Sequence, residues 1–270
     1  MATATIDGIS IGYDDKGDLD GTPLLLVHGH PFNRSMWQPQ ADEFTAAGYR
    51  VITPDLRGYG ESGVVPGITG LEVFAQDTAG LMDHLGLDRV ILGGLSMGGQ
   101  IVMDFYRLFP QRVTGLIFAD TFPAPETAEG KVFRNTMADR LLAEGMDGYA
   151  DEVIDKMVAP YNVATLPTVA GHVLRMMRGT PPEGAAAALR GRAERPDYRD
   201  LLTTVSVPAL VVVGADDEYT PVSDAEFMHR QLPDSTLVVI EGAAHMPNLE
   251  RPDEFNAALR PFLARVQDGR

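Results

Sequence analysis

With 270 residues, 44% of them hydrophobic, the chain is long enough to bury one large core, or a core domain carrying a sizeable insertion. It contains no cysteine, which excludes disulfides, thiolate chemistry and cysteine metal sites. Its 22 Lys and Arg against 38 Asp and Glu give a net charge of −16, which argues against nucleic acid or an anionic membrane as partner, since both need clustered cations.

The opening stretch MATATIDGIS has neither a basic segment nor an apolar run of signal-peptide type, and no apolar run approaches the roughly 20 residues of a membrane helix. A cytoplasmic protein is expected. Asp7-Gly8 is a turn pair favoured in two-residue hairpins, so two antiparallel strands should start the fold. Short apolar runs follow at Leu24 to Val27, Val51-Ile52, Val90 to Leu92, Leu116 to Ala119, Leu210 to Val213 and Leu237 to Ile240. Runs apolar on both faces suit buried parallel strands. Helical patterns lie between them at Leu71 to Leu85, Gln100 to Phe109, Ser223 to Gln231 and Asp253 to Arg265, and this alternation predicts an α/β fold with a mostly parallel sheet. From about Phe122 to Leu202 no strand-like run occurs. Helical patterns at Lys131 to Glu144, Tyr149 to Val158, Val169 to Met177 and Gly184 to Arg195 predict a helical cap over residues 122–202, inserted into a core of residues 1–121 and 203–270.

Chemistry-bearing residues recur at the predicted strand ends. His28-Gly29-His30-Pro31 follows the first parallel strand as a constrained loop, leaving the N–H of His30 to face a site while His28 braces the loop. Gly94-Leu95-Ser96-Met97-Gly98 matches the G-x-S-x-G elbow, in which a sharp strand-to-helix turn presents a serine nucleophile. The helix that follows points its amides at any anion forming there, so the N–H of Met97 is a natural oxyanion donor and that of His30 a second. His245, on a small-residue loop after Leu237 to Ile240, is the candidate base. His84 and His229 lie in helical patterns, and His172 in the cap. For the carboxylate that orients the base, Asp217 is favoured by the chain order Ser96, Asp217, His245, with Asp216 and Asp120 as alternatives.

HGHP at 28–31, DLRGYGES at 55–62, GLSMGG at 94–99, GADDEYTP at 214–221 and GAAHMPNLERP at 242–252 together resemble the α/β-hydrolase superfamily, along most of the chain. HGHPFNRSMW and ADRLLAEGMDG are similar to the 3-oxoadipate enol-lactonase type and neighbouring small carboxylesterases. The resemblance implies an eight-stranded, mostly parallel sheet flanked by helices. It also implies Ser96, Asp217 and His245 as triad, the amides of His30 and Met97 as oxyanion hole, an architectural role for DLRGYGES, and neither cofactor nor metal. Relatives more often carry an aromatic or aliphatic residue where His30 stands.

A serine at the elbow argues against dehalogenases and epoxide hydrolases, which place aspartate there. What remains is acyl transfer to water. Carboxylesterase is the first reading and lactonase the second, with perhydrolysis open to the same residues. From other classes, a cofactor-independent dioxygenase or a non-catalytic ligand-binding module would retain much of this pattern. Phe32, Phe133, Met137 and Met176 are expected to line an acyl pocket, with Trp37, Met97 and Met177 as further apolar candidates. Arg134, Arg175 and Arg178 are available should the substrate be a dicarboxylate-like lactone. The expected partner is a small ester or lactone, and a homodimer is left open.

Overall fold

The apolar runs form strands because their alternate residues serve two cores. The computed structural model, which describes residues 2–269, contains β1 (Ala2–Ile6), β2 (Ile9–Lys16), β3 (Thr22–Val27), β4 (Tyr49–Pro54), β5 (Val90–Leu95), β6 (Val113–Ala119), β7 (Ala209–Gly214) and β8 (Ser235–Ile240). In β3, Leu25 and Val27 enter the core on one face of the sheet, and Leu24 and Leu26 the core on the other. The same division separates Leu116 and Phe118 from Ile117 and Ala119 in β6, and Val211 and Val213 from Leu210 and Val212 in β7. Parallel sheets require this double cover. The strands form one eight-stranded sheet in the order β1-β2-β4-β3-β5-β6-β7-β8. From β4 to β8 neighbours run parallel, while β1 and β2 form the expected antiparallel hairpin, turning at Asp7 and Gly8 with φ of 49° and 79°.

The helices, in chain order, are α1 (Gln38–Ala46), α2 (Leu71–His84), α3 (Met97–Leu108), α4 (Ala128–Glu144), α5 (Asp147–Met157) and α6 (Pro160–Thr165). They continue as α7 (Pro167–Arg178), α8 (Pro182–Ala193), α9 (Arg199–Leu202), α10 (Val222–Gln231), α11 (Pro247–Glu250) and α12 (Pro252–Asp268). Phe74, Ile101, Phe105 and Met228 from α2, α3 and α10 fill one core, and Phe44, Phe255, Leu259 and Phe262 from α1 and α12 fill the other. Between β6 and β7 the described chain runs only through helices, α4 to α9. Thr127 caps α4 by accepting the Gly130 amide at 2.9 Å, and prolines open α6, α7 and α8, where their fixed φ suits a first turn.

Candidate active site

Parallel strands bring the loops that leave them to one edge. His28 follows β3, Ser96 follows β5, Asp120 follows β6, Asp217 lies just past β7, and His245 lies just past β8. Sites of open α/β sheets gather at this carboxyl edge.

Ser96 turns the chain from β5 into α3 with φ 58° and ψ −117°, a strained region for a residue with a side chain. Such strain costs about 1–3 kcal/mol and persists only where the surroundings impose it. Here its amide donates to the Ala119 carbonyl at 2.9 Å, and its own carbonyl accepts from Thr121 Oγ1 at 2.8 Å. The flanking glycines have a steric cause. A Cβ on Gly94 would lie 2.3 Å from the Gly98 carbonyl, and one on Gly98 would lie 2.3 Å from the Val27 carbonyl oxygen. Only bare backbone lets the helix start this close to two strands.

Of the three carboxylates considered, Asp217 meets the histidine. His245 Nδ1 lies 2.8 Å from Asp217 Oδ2. A carboxylate only accepts, so Nδ1 carries the proton and Nε2 is left with its lone pair. Asp217 Oδ1 also accepts the amides of Tyr219 and Thr220 at 2.8 and 3.2 Å, and Oδ2 takes the Thr220 hydroxyl. Burial would raise this carboxyl, but its electrostatic interaction with His245 and these hydrogen bonds outweigh it and hold Asp217 below its usual range. The Tyr219 ring packs edge-on to His245, 5.3 Å between centroids. Asp216 instead faces outward and accepts from the Tyr161 hydroxyl.

Asp120 lies close by without joining them. Its Oδ1 accepts the Gly214 amide at 2.9 Å, and its Oδ2 is buried with no hydrogen-bond partner. Burial first, then the charge of Asp217, push it well above the usual carboxylate range. Ligand atoms of Asp120, Asp217 and His245 lie within 4.8 Å of one another, a spacing that a metal ion could use. Two of the three are already engaged with each other.

The loop after β3 is braced from below. His28 Nδ1 donates to the Gly29 carbonyl at 2.8 Å and Nε2 accepts the Leu56 amide at 2.9 Å, so both ring nitrogens are used structurally. Asp55 in DLRGYGES accepts the amides of Arg34 and Glu61 and the Arg34 guanidinium. His30 Nδ1 lies 2.8 Å from the Tyr59 hydroxyl while its Nε2 has no partner. Burial and then the charges of Arg192 and Arg134 hold His30 well below its usual value, hence neutral. Neither the His30 amide nor the Met97 amide is taken up by another described residue.

Ser96, His30 and His245 line a cavity of about 750 Å³ roofed by α4, α5 and α8. Of the expected pocket residues, Met137 and Phe133 line it, Phe133 at its rim with 63% of its surface exposed. Phe32 and Met176 do not. Both are buried in the apolar core instead, at 0% and 3% exposure, Phe32 in the loop after β3 and Met176 on α7. Trp37, Met97 and Met177 are likewise core, and Arg175 and Arg178 lie away from the cavity. The sequence reading missed Tyr149, Tyr219, Leu189 and Arg192, which all line it. Arg192 had a signal: it continues the buried helical face Ala185, Ala188, Leu189, where an apolar residue belongs.

The family described as the alpha/beta hydrolase fold matches residues 22–252. This chain belongs to the α/β-hydrolase family. A relative from Acinetobacter baylyi, 3-oxoadipate enol-lactonase 2, is 30% identical over 97% of this chain and 96% of its own length. A thermophilic esterase from Thermogutta terrifontis, solved with malate bound, superposes with a TM-score of 0.94 at 41% identity, covering 98% of each chain. The enol-lactonase from Burkholderia xenovorans LB400 superposes with a TM-score of 0.91 at 26% identity, covering 97% of this chain and all of that one. The eight-stranded α/β-hydrolase sheet expected from the resemblance is thus the fold observed.

Proposed function

We propose that this α/β-hydrolase cleaves small carboxylic esters, with Ser96 as nucleophile, His245 as base, Asp217 as its orienting carboxylate, and the amides of His30 and Met97 as oxyanion hole. The 2.8 Å contact of His245 Nδ1 with Asp217 carries the reading, because it leaves Nε2 as the acceptor in a cavity shared with Ser96. His245 takes the Ser96 proton as Oγ attacks the ester carbonyl. The oxyanion rests on the two free amides, each worth about 3 kcal/mol to the transition state. His245 then returns the proton to the departing alcohol and activates a water that releases the acid. The helices α4 to α9 act as the cap that keeps bulk water from this cycle and shapes the pocket.

Enol-lactonase activity is the second reading, supported by the Acinetobacter and Burkholderia relatives and open to the same residues. Initial rates on p-nitrophenyl esters from acetate to octanoate, beside small lactones, separate the two. Turnover favouring short acyl esters supports the esterase, and a lactone preference promotes the second. Absence of turnover on both sets would sink both.

A further inference from the structure

Arg192 is 7% exposed and lines the cavity that holds Ser96 and His245. Its Nε donates to Gln100 Oε1 at 3.2 Å, and its two terminal nitrogens donate to no described residue. No carboxylate pairs with it among the described residues, although its neighbours are paired: Arg195 donates to Glu126 at 2.7 Å, and Arg134 to the same carboxylate. One carboxylate therefore serves two guanidiniums while a third has none. Burial, reinforced by the charges of Arg134 and Arg195, presses Arg192 well below its ordinary range. A buried cation without a counter-ion is destabilising, and a fold with net charge −16 had ample carboxylates to supply one.

We propose that Arg192, assisted by Arg134, is a subsite for a second carboxylate on the acyl part of the substrate, so that the preferred substrates are half-esters of short dicarboxylic acids. The bound carboxylate completes the planar fork that the protein leaves open. Gln100, which fixes Arg192, lies one helical turn beyond Ser96 and donates its amide to the Ser96 carbonyl at 3.2 Å, so the guanidinium is tied to the first turn of α3. That placement suits a short spacer between the attacked carbonyl and the anion. Glu126, Glu129 and Glu152 also line the cavity, which favours a singly charged carboxylate over a dianionic phosphate.

The proposal rests on the ester-hydrolase reading, and the test separates the two. The substrates are monomethyl succinate and methyl succinamate, equal in size and differing in charge. The wild-type kcat/KM should favour the half-ester by about tenfold or more, and that ratio should fall by about tenfold in Arg192→Met and less in Arg192→Lys. Free succinate should compete with either substrate, and calorimetry should show it binding Ser96→Ala protein more tightly than a form that also carries Arg192→Met. The wild-type comparison and the competition hold even if a variant fails to fold. Equal or better turnover of the amide, with no competition by succinate, overturns the subsite and leaves the hydrolase intact. Inorganic phosphate competing better than succinate overturns the carboxylate assignment. Loss of the hydrolase reading has its own signature, no Ser96-dependent turnover of either ester, and succinate binding still decides the subsite.

Discussion

Two buried carboxyls sit beside His245, and their surroundings push them in opposite directions. Asp217 is met by donors on both oxygens, whereas Asp120 has one donor and faces the charge of Asp217. Under the proposed mechanism Asp217→Asn removes the acceptor that fixes the imidazole tautomer, and should lower ester kcat/KM by about 10³–10⁴-fold. Asp120 makes no hydrogen bond to His245, so Asp120→Asn should change it by less than about tenfold. Reversal of that order would make Asp120 the catalytic acid. Asp120 also yields a signed stability test. Because its folded-state value is raised, the folded protein keeps a proton that the unfolded chain releases above about pH 4. Its stabilising contribution is full below that pH and is lost as pH rises toward the folded value. Asp120→Asn abolishes this titration, so its melting temperature relative to wild type should climb as pH rises above about 4. A constant difference across that range would show Asp120 to be ordinary. Asp217, whose value is lowered, has the opposite sign: its contribution is present above the unfolded value and fades on acidification.

At the level of elements, the helical run between β6 and β7 is joined to the loop of His245 through two buried side chains, Glu250 and Asn162. Glu250 accepts the Ala244 amide at 2.9 Å with Oε1, and with Oε2 the Ala159 amide and Asn162 Nδ2, each at 2.8 Å. Asn162 Nδ2 also reaches the Gly242 carbonyl at 2.8 Å. Glu250→Ala orphans the Ala159 and Ala244 amides, at about 1–3 kcal/mol each, and leaves α6 tied to the loop that positions His245 only through Asn162 and Gly242. We expect both a lower melting temperature and a lower kcat, and a loss of stability with kcat intact would confine Glu250 to a structural role. The other side of the run is held by close backbone approach. A Cβ on Gly184, at the start of α8, would lie 1.9 Å from the Gly58 carbonyl oxygen. Gly184→Ala must shift α8 from the DLRGYGES loop, and should cost about 1–3 kcal/mol in a thermal or denaturant melt.

For the molecule as a whole, the sheet was legible because its strands are buried on both faces and read as unbroken apolar runs, and the elbow because its glycines have no other reason to cluster. The short helices α1, α6, α9 and α11 were not legible. Pro160 and Pro247 each open one of them, and a proline alone does not tell a helix start from a break. The site divided along the same line. Ser96, Asp217 and His245 follow strands directly, so their place at the sheet edge can be read from strand order. Phe32 and Met176 could not be told from core, because an apolar side chain beside a cavity and one beneath the sheet look alike in sequence. Arg192 enters the site through tertiary packing of α8, which periodicity flags only as a misplaced charge.

Acyl transfer through Ser96 is tested by rapid-mixing hydrolysis of p-nitrophenyl acetate with mass analysis of the quenched protein. An acetyl group should appear on the peptide containing Ser96 before steady state, and Ser96→Ala should lose both the label and about 10⁴-fold or more of the turnover. Hydrolysis that continues undiminished in Ser96→Ala, with no acylated peptide, would contradict it.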